Sequence, residues 1–374
     1  MSCLVIKNDG IGDLILASGI ISGLAEIYNG VDLVTCRENE EIASLIPGVN
    51  RIIYTSRDNI ALGTNPAFCD SPVDDIIMLK LMEQQYPVAI SLRRYIRQST
   101  LVLQRLVNAE QKFCFWKYPG NATQAEAEEY SQGWNHIVDN IPLTNEADYY
   151  RNCLRFALGK EINPIPQLNM PAQRKRIPKS LVIGLSSSGK NGWNYLKWLK
   201  IAELFYTDGY KVHIVGDNRF SNEVDLFCNN FPGMKNHMGE LTLTELLTLY
   251  QSTTHYMGND TGISHLASLT VPYNLIIVGG GTIPRFFPWP GNHNQAIITH
   301  AMKCFDCNWE CKYLSTLCME RIHTIDILPF AQQFFAGKQP PGLYNLGPKG
   351  IKFTENLSGT NNLCLDEISH NLSE

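Results

Sequence analysis

Cys3-Leu4-Val5-Ile6-Lys7-Asn8-Asp9-Gly10-Ile11-Gly12-Asp13 is the stretch on which the fold turns. Leu4-Val5-Ile6 predicts a short buried strand, and Gly10 and Gly12 allow the chain to turn sharply after it. The segment from Leu14 to Tyr28 is apolar and of helix length. Strand, glycine turn and helix in this order form the opening of a parallel α/β unit, which places ligands at the carboxyl end of the strand. The turn is not the full dinucleotide fingerprint, because Leu14 and Ile15 stand where another glycine is needed. Asp13 then reads either as an ordinary helix cap or as a carboxylate facing a cleft.

Outward from this stretch the same alternation continues. Val31-Asp32-Leu33-Val34-Thr35 is followed by a helix candidate that closes at Pro47-Gly48. Arg51-Ile52-Ile53-Tyr54, Val88-Ala89-Ile90-Ser91-Leu92 and Lys112-Phe113-Cys114-Phe115 supply further strands. Strands separated by helices predict a parallel sheet covered on both faces. Pro164, Pro166, Pro171 and Pro178 then interrupt the rhythm beside Arg174-Lys175-Arg176, a charge run that reads as solvated. The alternation restarts with Leu181-Val182-Ile183-Gly184, Val212-His213-Ile214-Val215, His255-Tyr256-Met257 and Leu275-Ile276-Ile277-Val278. The expected organisation is a first α/β domain over residues 1–165, a linker over 166–179, a second α/β domain over 180–336, and a loosely ordered tail over 337–374.

Composition narrows the function classes. The 374 residues suit two domains at ~100–200 residues each. A content of 44% hydrophobic and 18% charged residues excludes a largely disordered or collagen-like chain. Lys plus Arg number 31 against 36 for Asp plus Glu, and the net charge of −5 argues against a nucleic-acid partner. The opening residues lack the basic start and apolar run of a signal peptide. No window reaches the ~18 uninterrupted apolar residues of a membrane span. Eleven cysteines in that context predict reduced thiols and a cytoplasmic location.

Four segments carry candidate chemistry. Gly184-Leu185-Ser186-Ser187-Ser188-Gly189-Lys190-Asn191 nearly spells a P-loop, but Asn191 stands where magnesium binding needs Ser or Thr. Ser186, Ser187, Ser188 and Gly189 still suit phosphate contact through backbone N–H groups. In Asn259-Asp260-Thr261-Gly262-Ile263-Ser264-His265, Asp260 or Thr261 caps a helix whose free N–H groups suit an anion. Taken alone, that segment reads more simply as a plain cap with His265 buried and hydrogen-bonded. Arg93, Arg94 and Arg97 suit an acidic or phosphorylated acceptor, or else a solvated helix start. Cys304-x2-Cys307-x3-Cys311-x6-Cys318 has the donors for a tetrahedral structural zinc or iron site with no open position. The alternative is four reduced thiols in a segment tied down by Trp309 and Tyr313.

Together these segments resemble glycosyltransferase family 9, the heptosyltransferase-like enzymes, over roughly residues 3–336. Ile6-Lys7-Asn8-Asp9-Gly10-Ile11-Gly12-Asp13 is similar to the family's opening segment, and Tyr86-Pro87-Val88-Ala89-Ile90-Ser91-Leu92-Arg93 to a later strand. Lys197-Trp198 resembles its Lys-Trp element, although no proline follows and Lys190 is a nearby alternative. Asn259 through His265 resembles its Asp-Thr/Ser-Gly-x-x-His donor motif, the most specific part, and the trailing cysteines occur in many members. The resemblance implies a GT-B enzyme of the bacterial cytoplasm, with two Rossmann-like domains whose parallel sheets face a central cleft. It further implies an inverting transfer without a catalytic metal, and the chain has no Asp-x-Asp pair. Asp13 would be the general base and Lys197 the second catalytic residue. Ser186 to Gly189, Lys197, Asp260, Thr261, Gly262 and His265 would hold the donor, by resemblance ADP-heptose. Gly12, Arg93, Arg94 and Arg97 would face an acceptor hydroxyl on a lipopolysaccharide core or a protein, so that a chain without a membrane span would approach a membrane surface only through its acceptor. The alternatives are a nucleotide-sugar epimerase on the same scaffold, which needs no acceptor, and a non-catalytic sugar-nucleotide-binding subunit.

Overall fold

In the computed structural model, residues 1–55, 78–96, 103–117, 123–140, 145–172, 174–185 and 192–354 are described. The chain divides into two units, Met1–Met170 and Pro171–Glu374. The strands of the first are β1 (Cys3–Ile6), β2 (Val31–Thr35), β3 (Val49–Tyr54), β4 (Tyr86–Ser91), β5 (Ala109–Cys114) and β6 (Asn135–His136). They lie in the order β3-β2-β1-β4-β5-β6, and every neighbouring pair is parallel. Residues Cys3 to Ile6 of β1 are wholly buried, as expected of a central strand covered on both faces. The strand order reverses between β1 and β4, and the loops after these two strands leave the sheet at the usual ligand position of such folds.

Helix α1 (Ile11–Tyr28) begins at Gly10, which is its N-cap, and ends where Asn29 enters the left-handed region at φ 54°. Asp13 therefore lies inside the first turn and is not the cap. By length and composition α1 is apolar enough to cross a membrane, yet most of it is buried within this unit. Its burial on several sides explains why it lacks a polar stripe. One side meets the sheet and another meets the helix Glu146–Leu158. A third is crossed by residues 162–168. A Cβ on Gly19 would lie 2.1 Å from the Ile165 carbonyl oxygen, and one on Gly23 would lie 2.4 Å from Ile162 Cγ2. The Gln167 N–H donates to Ser18 Oγ at 2.9 Å. Up to Leu168, then, the proline-rich stretch is packed chain of the first unit.

The second unit holds β7 (Ser180–Gly184), β8 (Lys211–Val215), β9 (Lys235–Asn236), β10 (His255–Asn259), β11 (Tyr273–Ile277), β12 (Gln295–Thr299), β13 (Gly342–Gly347) and β14 (Gly350–Thr354). Their order is β14-β13-β12-β11-β10-β7-β8-β9, parallel throughout except for the β13–β14 hairpin. Here the order reverses between β10 and β7. One sequence expectation needs correction. The tail from 337 is not loosely ordered over 342–354, because β13 pairs with β12 and Tyr344 and Leu346 are buried. Residues 355–374 lie outside the described ones. In the charge run Arg174 and Lys175 are exposed, as expected, while the partly buried Arg176 donates to the carbonyls of Thr253 at 2.7 Å and Thr270 at 2.6 Å.

The crossing over α1 makes a prediction. Gly19→Ala forces a methyl against a backbone oxygen and should destabilise the first unit by about 1–3 kcal/mol. Gly23→Ala meets a side-chain methyl in place of backbone, and should cost less. Urea denaturation of both variants checks this, and equal midpoints for the two would contradict it.

Candidate active site

At the end of β1 the chain carries Lys7 into the interior, where its side chain is fully shielded from solvent. A buried ammonium is tolerated only with close partners. Lys7 Nζ lies 2.8 Å from Asp9 Oδ2 and 2.8 Å from Glu146 Oε1. It also donates to the Tyr150 hydroxyl at 3.2 Å. Tyr150 lies one turn beyond Glu146 on the same helix, with its hydroxyl 2.9 Å from Glu146 Oε1 and 3.0 Å from the Leu92 carbonyl. Asp9 is also paired with Arg93, which reaches Asn8 Oδ1 at 3.3 Å. Burial alone would lower the Lys7 pKa, but Asp9 and Glu146 hold it well above the ordinary lysine value. Burial would raise Asp9, and Arg93 and Lys7 reverse that, holding it below the usual carboxylate range. The stability that Asp9 contributes is complete above about pH 3.9 and is lost as the pH falls through its lowered value.

Asp13 joins this cluster from the first turn of α1. Carboxylate oxygens of Asp9, Asp13 and Glu146 lie within 4.8 Å of one another, and Asp13 is half-buried. Three carboxylates so close resemble a cation site, but the Lys7 ammonium already bridges two of them. Gly12, beside Asp13 in the turn, is also partly exposed. Arg93 and Arg94 are not the solvated residues of a helix start: they are 2% and 4% exposed. Arg93 serves Asp9, and the Arg94 guanidinium sits 4.9 Å from the Tyr149 ring centroid. Arg97 lies outside the described residues.

In the second unit β10 delivers Asn259 and Asp260 to its own switch point, with Thr261 as N-cap of the short helix Gly262–Ser268. Asn259 Oδ1 accepts the Trp193 N–H at 3.1 Å, and Ser264 Oγ donates to the Asn259 carbonyl. Asp260 is 8% exposed and its Oδ2 accepts from the Thr282 hydroxyl at 2.9 Å. His265 is 2% exposed, with Nε2 3.8 Å from Asp260 Oδ1 and Nδ1 accepting the Trp289 indole N–H at 3.0 Å. Its ring stacks on Phe287 at 4.3 Å between centroids. Thr282, Trp289 and Glu146 stand in none of the segments singled out in the sequence, and Lys7 stands out only as part of the opening segment.

Lys197 takes an unexpected place. Its ammonium donates to the carbonyls of Ile322 at 2.7 Å and Glu320 at 3.0 Å and lies 5.5 Å from the Trp193 ring centroid. Burial lowers its pKa. Two of its three N–H donors thus hold the chain just after Cys318. Ser186 to Gly189 and Lys190 lie outside the described residues.

The cysteine segment packs on Gly279-Gly280-Gly281, where Cβ atoms would come within 2.5 Å of Trp309, 2.1 Å of Phe305 and 2.4 Å of Trp309 in turn. Asp306 and Asn308 N–H groups donate to the carbonyls of Gly280 and Gly281. The expected metal arrangement is not formed. Among the described residues, no three of the Cys304, Cys307, Cys311 and Cys318 sulfurs lie within 4.8 Å of one another. Burial pushes the Cys304 and Cys318 thiols up, and Cys318 Sγ accepts the Gly280 N–H at 3.5 Å. Spacing supplied the donors, but packing onto the glycines sets their positions. The four thiols are nonetheless gathered in one region, since Cys304, Cys307 and Cys311 all act electrostatically on the Cys318 thiol.

Comparison with known proteins places this geometry. A family model described as glycosyltransferase family 9 (heptosyltransferase) matches residues 80–315. The lipooligosaccharide heptosyltransferase 2 of Haemophilus influenzae is 26% identical over 201 residues, which are 42% of this chain and 56% of that protein. The match therefore spans little more than half the length of that curated relative. The structure of E. coli heptosyltransferase WaaC with ADP superposes with a TM-score of 0.66 at 14% identity, covering 89% of this chain and 99% of that one. TibC of enterotoxigenic E. coli, a dodecameric iron-containing heptosyltransferase solved with ADP-D-β-D-heptose, superposes with a TM-score of 0.51 at 13% identity, covering 90% and 77%. At these identities the structures speak to the fold, two parallel-sheet α/β domains of the GT-B kind.

The buried charge cluster makes the next prediction. Glu146→Ala leaves Lys7 with one carboxylate fewer in a site closed to water, and should destabilise the protein by about 3–5 kcal/mol. Thermal or urea denaturation measures this, and a loss below about 0.5 kcal/mol would show that the pair does not hold the site together.

Proposed function

The chain belongs to glycosyltransferase family 9, and on that premise we propose that it moves a heptose from ADP-heptose to an acceptor hydroxyl by one inverting displacement, with Asp13 as the general base. The observation that carries this reading is that each unit presents a carboxylate where its strand order reverses, Asp13 after β1 and Asp260 after β10. The acceptor we infer is a sugar hydroxyl of a lipooligosaccharide core, supported by the name of the Haemophilus relative. A hydroxyl on a protein is the alternative that the assay below separates.

The displacement sets two tasks. The attacking hydroxyl must lose its proton, and a base within reach contributes ~10²–10⁴-fold. Asp13 suits this task because it is partly exposed in the first turn of α1, at the switch point, whereas Glu146 beside it is buried. The departing diphosphate gains charge, which calls for donors fixed in advance. The remaining N–H of Lys197 and the Thr261 and Gly262 backbone are assigned to it, and Ser186 to Gly189, which lie outside the described residues, are proposed to join them. Asp260, with Thr282 on one oxygen, is assigned to the sugar hydroxyls of the donor. The reaction so written needs no catalytic metal, and no step passes through the cysteine segment.

Incubation of the protein with ADP-heptose and either lipooligosaccharide core fragments or protein acceptors tests the reading by product mass. One added heptose on an acceptor supports it. Conversion of the donor alone would point to an epimerase, and binding without turnover to a binding subunit. Asp13→Asn should lower turnover by roughly 10²-fold or more, with donor affinity by calorimetry little changed. Near-normal turnover in that variant would remove Asp13 from the mechanism.

A further inference from the structure

We propose that Trp289 is a positioning residue of the donor site: it fixes His265 as the tautomer protonated on Nε2 and so sets the direction in which Asp260 accepts hydrogen bonds. The proposal rests on the donor role given above to Asp260 and adds the device that orients it.

The Trp289 indole N–H donates and never accepts. Its Nε1 lies 3.0 Å from His265 Nδ1, with both rings buried. Nδ1 therefore presents its lone pair. A neutral imidazole with a lone pair on Nδ1 carries its proton on Nε2, and an imidazolium, with protons on both nitrogens, does not fit. The Nε2 proton is on the ring edge that faces Asp260, 3.8 Å from Oδ1. That distance is longer than a hydrogen bond, so the N–H acts on the carboxylate as an oriented dipole. The other tautomer would set two N–H groups head to head at 3.0 Å and turn a lone pair toward the carboxylate.

The surroundings hold the ring in this orientation. His265 stacks on Phe287 at an interplanar angle of 16°, lies 17° from the plane of Trp289 and meets Phe286 edge-on at 89°. The Trp289 backbone N–H is itself held by Gln295 Oε1 at 3.1 Å. Thr282, seven residues earlier in the same β11–β12 connection, donates to Asp260 Oδ2 at 2.9 Å. One connection thus acts on both carboxylate oxygens, directly through Thr282 and indirectly through Trp289 and His265. What remains of Asp260's accepting capacity is left for ligand hydroxyls in a fixed direction.

The test is nitrogen NMR of the full chain labelled with ¹⁵N-histidine, with the His265 signals assigned by their loss in His265→Gln. The unliganded wild type should show a single Nε2–H tautomer. Trp289→Phe keeps a ring in the stack and removes the N–H, and it should give a mixture of tautomers. It should also raise the KM for ADP-heptose roughly tenfold while leaving kcat within about twofold. Thr282→Val should weaken donor binding without altering the His265 signals. An Nδ1–H tautomer or an imidazolium in the wild type overturns the proposal, even if Trp289→Phe fails to fold. So does an unchanged tautomer, or an unchanged KM, in a folded Trp289→Phe. If the wild type neither binds nor turns over ADP-heptose, the proposed function fails, and the spectra of the unliganded protein still decide the tautomer.

Discussion

The burial of the Lys7 ammonium is the constraint on which the first unit depends. A charge wholly removed from water at the end of a central strand costs several kcal/mol unless carboxylates meet it at contact distance. Those carboxylates come from the loop just after the strand, through Asp9, and from a helix 139 residues farther along the chain, through Glu146. Tyr150 extends the link from that helix to the Leu92 carbonyl after β4. The two strands that flank the switch point, the turn between β1 and α1, and a distant helix are therefore tied by one set of bonds. Asp13 stands at the partly exposed edge of this set. The turn that carries it is anchored on both sides by this set, and such anchoring is what the base proposed for this position requires.

In the second unit Asp260 is met by a hydroxyl and a histidine ring rather than by a lysine or arginine. Asp260 is oriented by a hydroxyl and an imidazole, and the imidazole by an indole. Lys197 and Trp193 brace the chain around Ile322 from one side, since Ile322's carbonyl accepts both the ammonium and the indole N–H. The triple glycine lets Phe305 and Trp309 seat the cysteine segment from the other. A cation placed against Asp260 would occupy its accepting oxygens. Under the proposal, oriented donors fix the carboxylate and leave it able to accept from a sugar.

How much of this was legible in the sequence follows from the range of each interaction. The β1–turn–α1 opening and the repeated strand-helix alternation are local patterns, and the observed order of elements follows them. Asp260 and His265 lie five residues apart and share one motif, so the sequence could bring them together. Lys7 with Glu146, and His265 with Trp289, are joined only by folding, and no periodicity marks them. Composition misled in the tail, where Gly342 to Thr354 is glycine-rich and yet forms two strands because β12 offers an open edge. Proline content misled over 162–168, where the chain packs on α1 along a stripe kept free by Gly19 and Gly23. At the cysteines spacing supplied the donors, and the packing of Phe305 and Trp309 on the triple glycine could not be read from it.

The central claim is that an acceptor hydroxyl, deprotonated by Asp13, attacks the donor carbon in one step. A single displacement inverts the anomeric centre, whereas a route through a covalent sugar–enzyme intermediate retains it. The anomeric configuration of the transferred heptose, read by NMR of the product against that of the donor, is therefore the most direct measurement. The account predicts the opposite configuration in donor and product. Retention of the donor's configuration would contradict it.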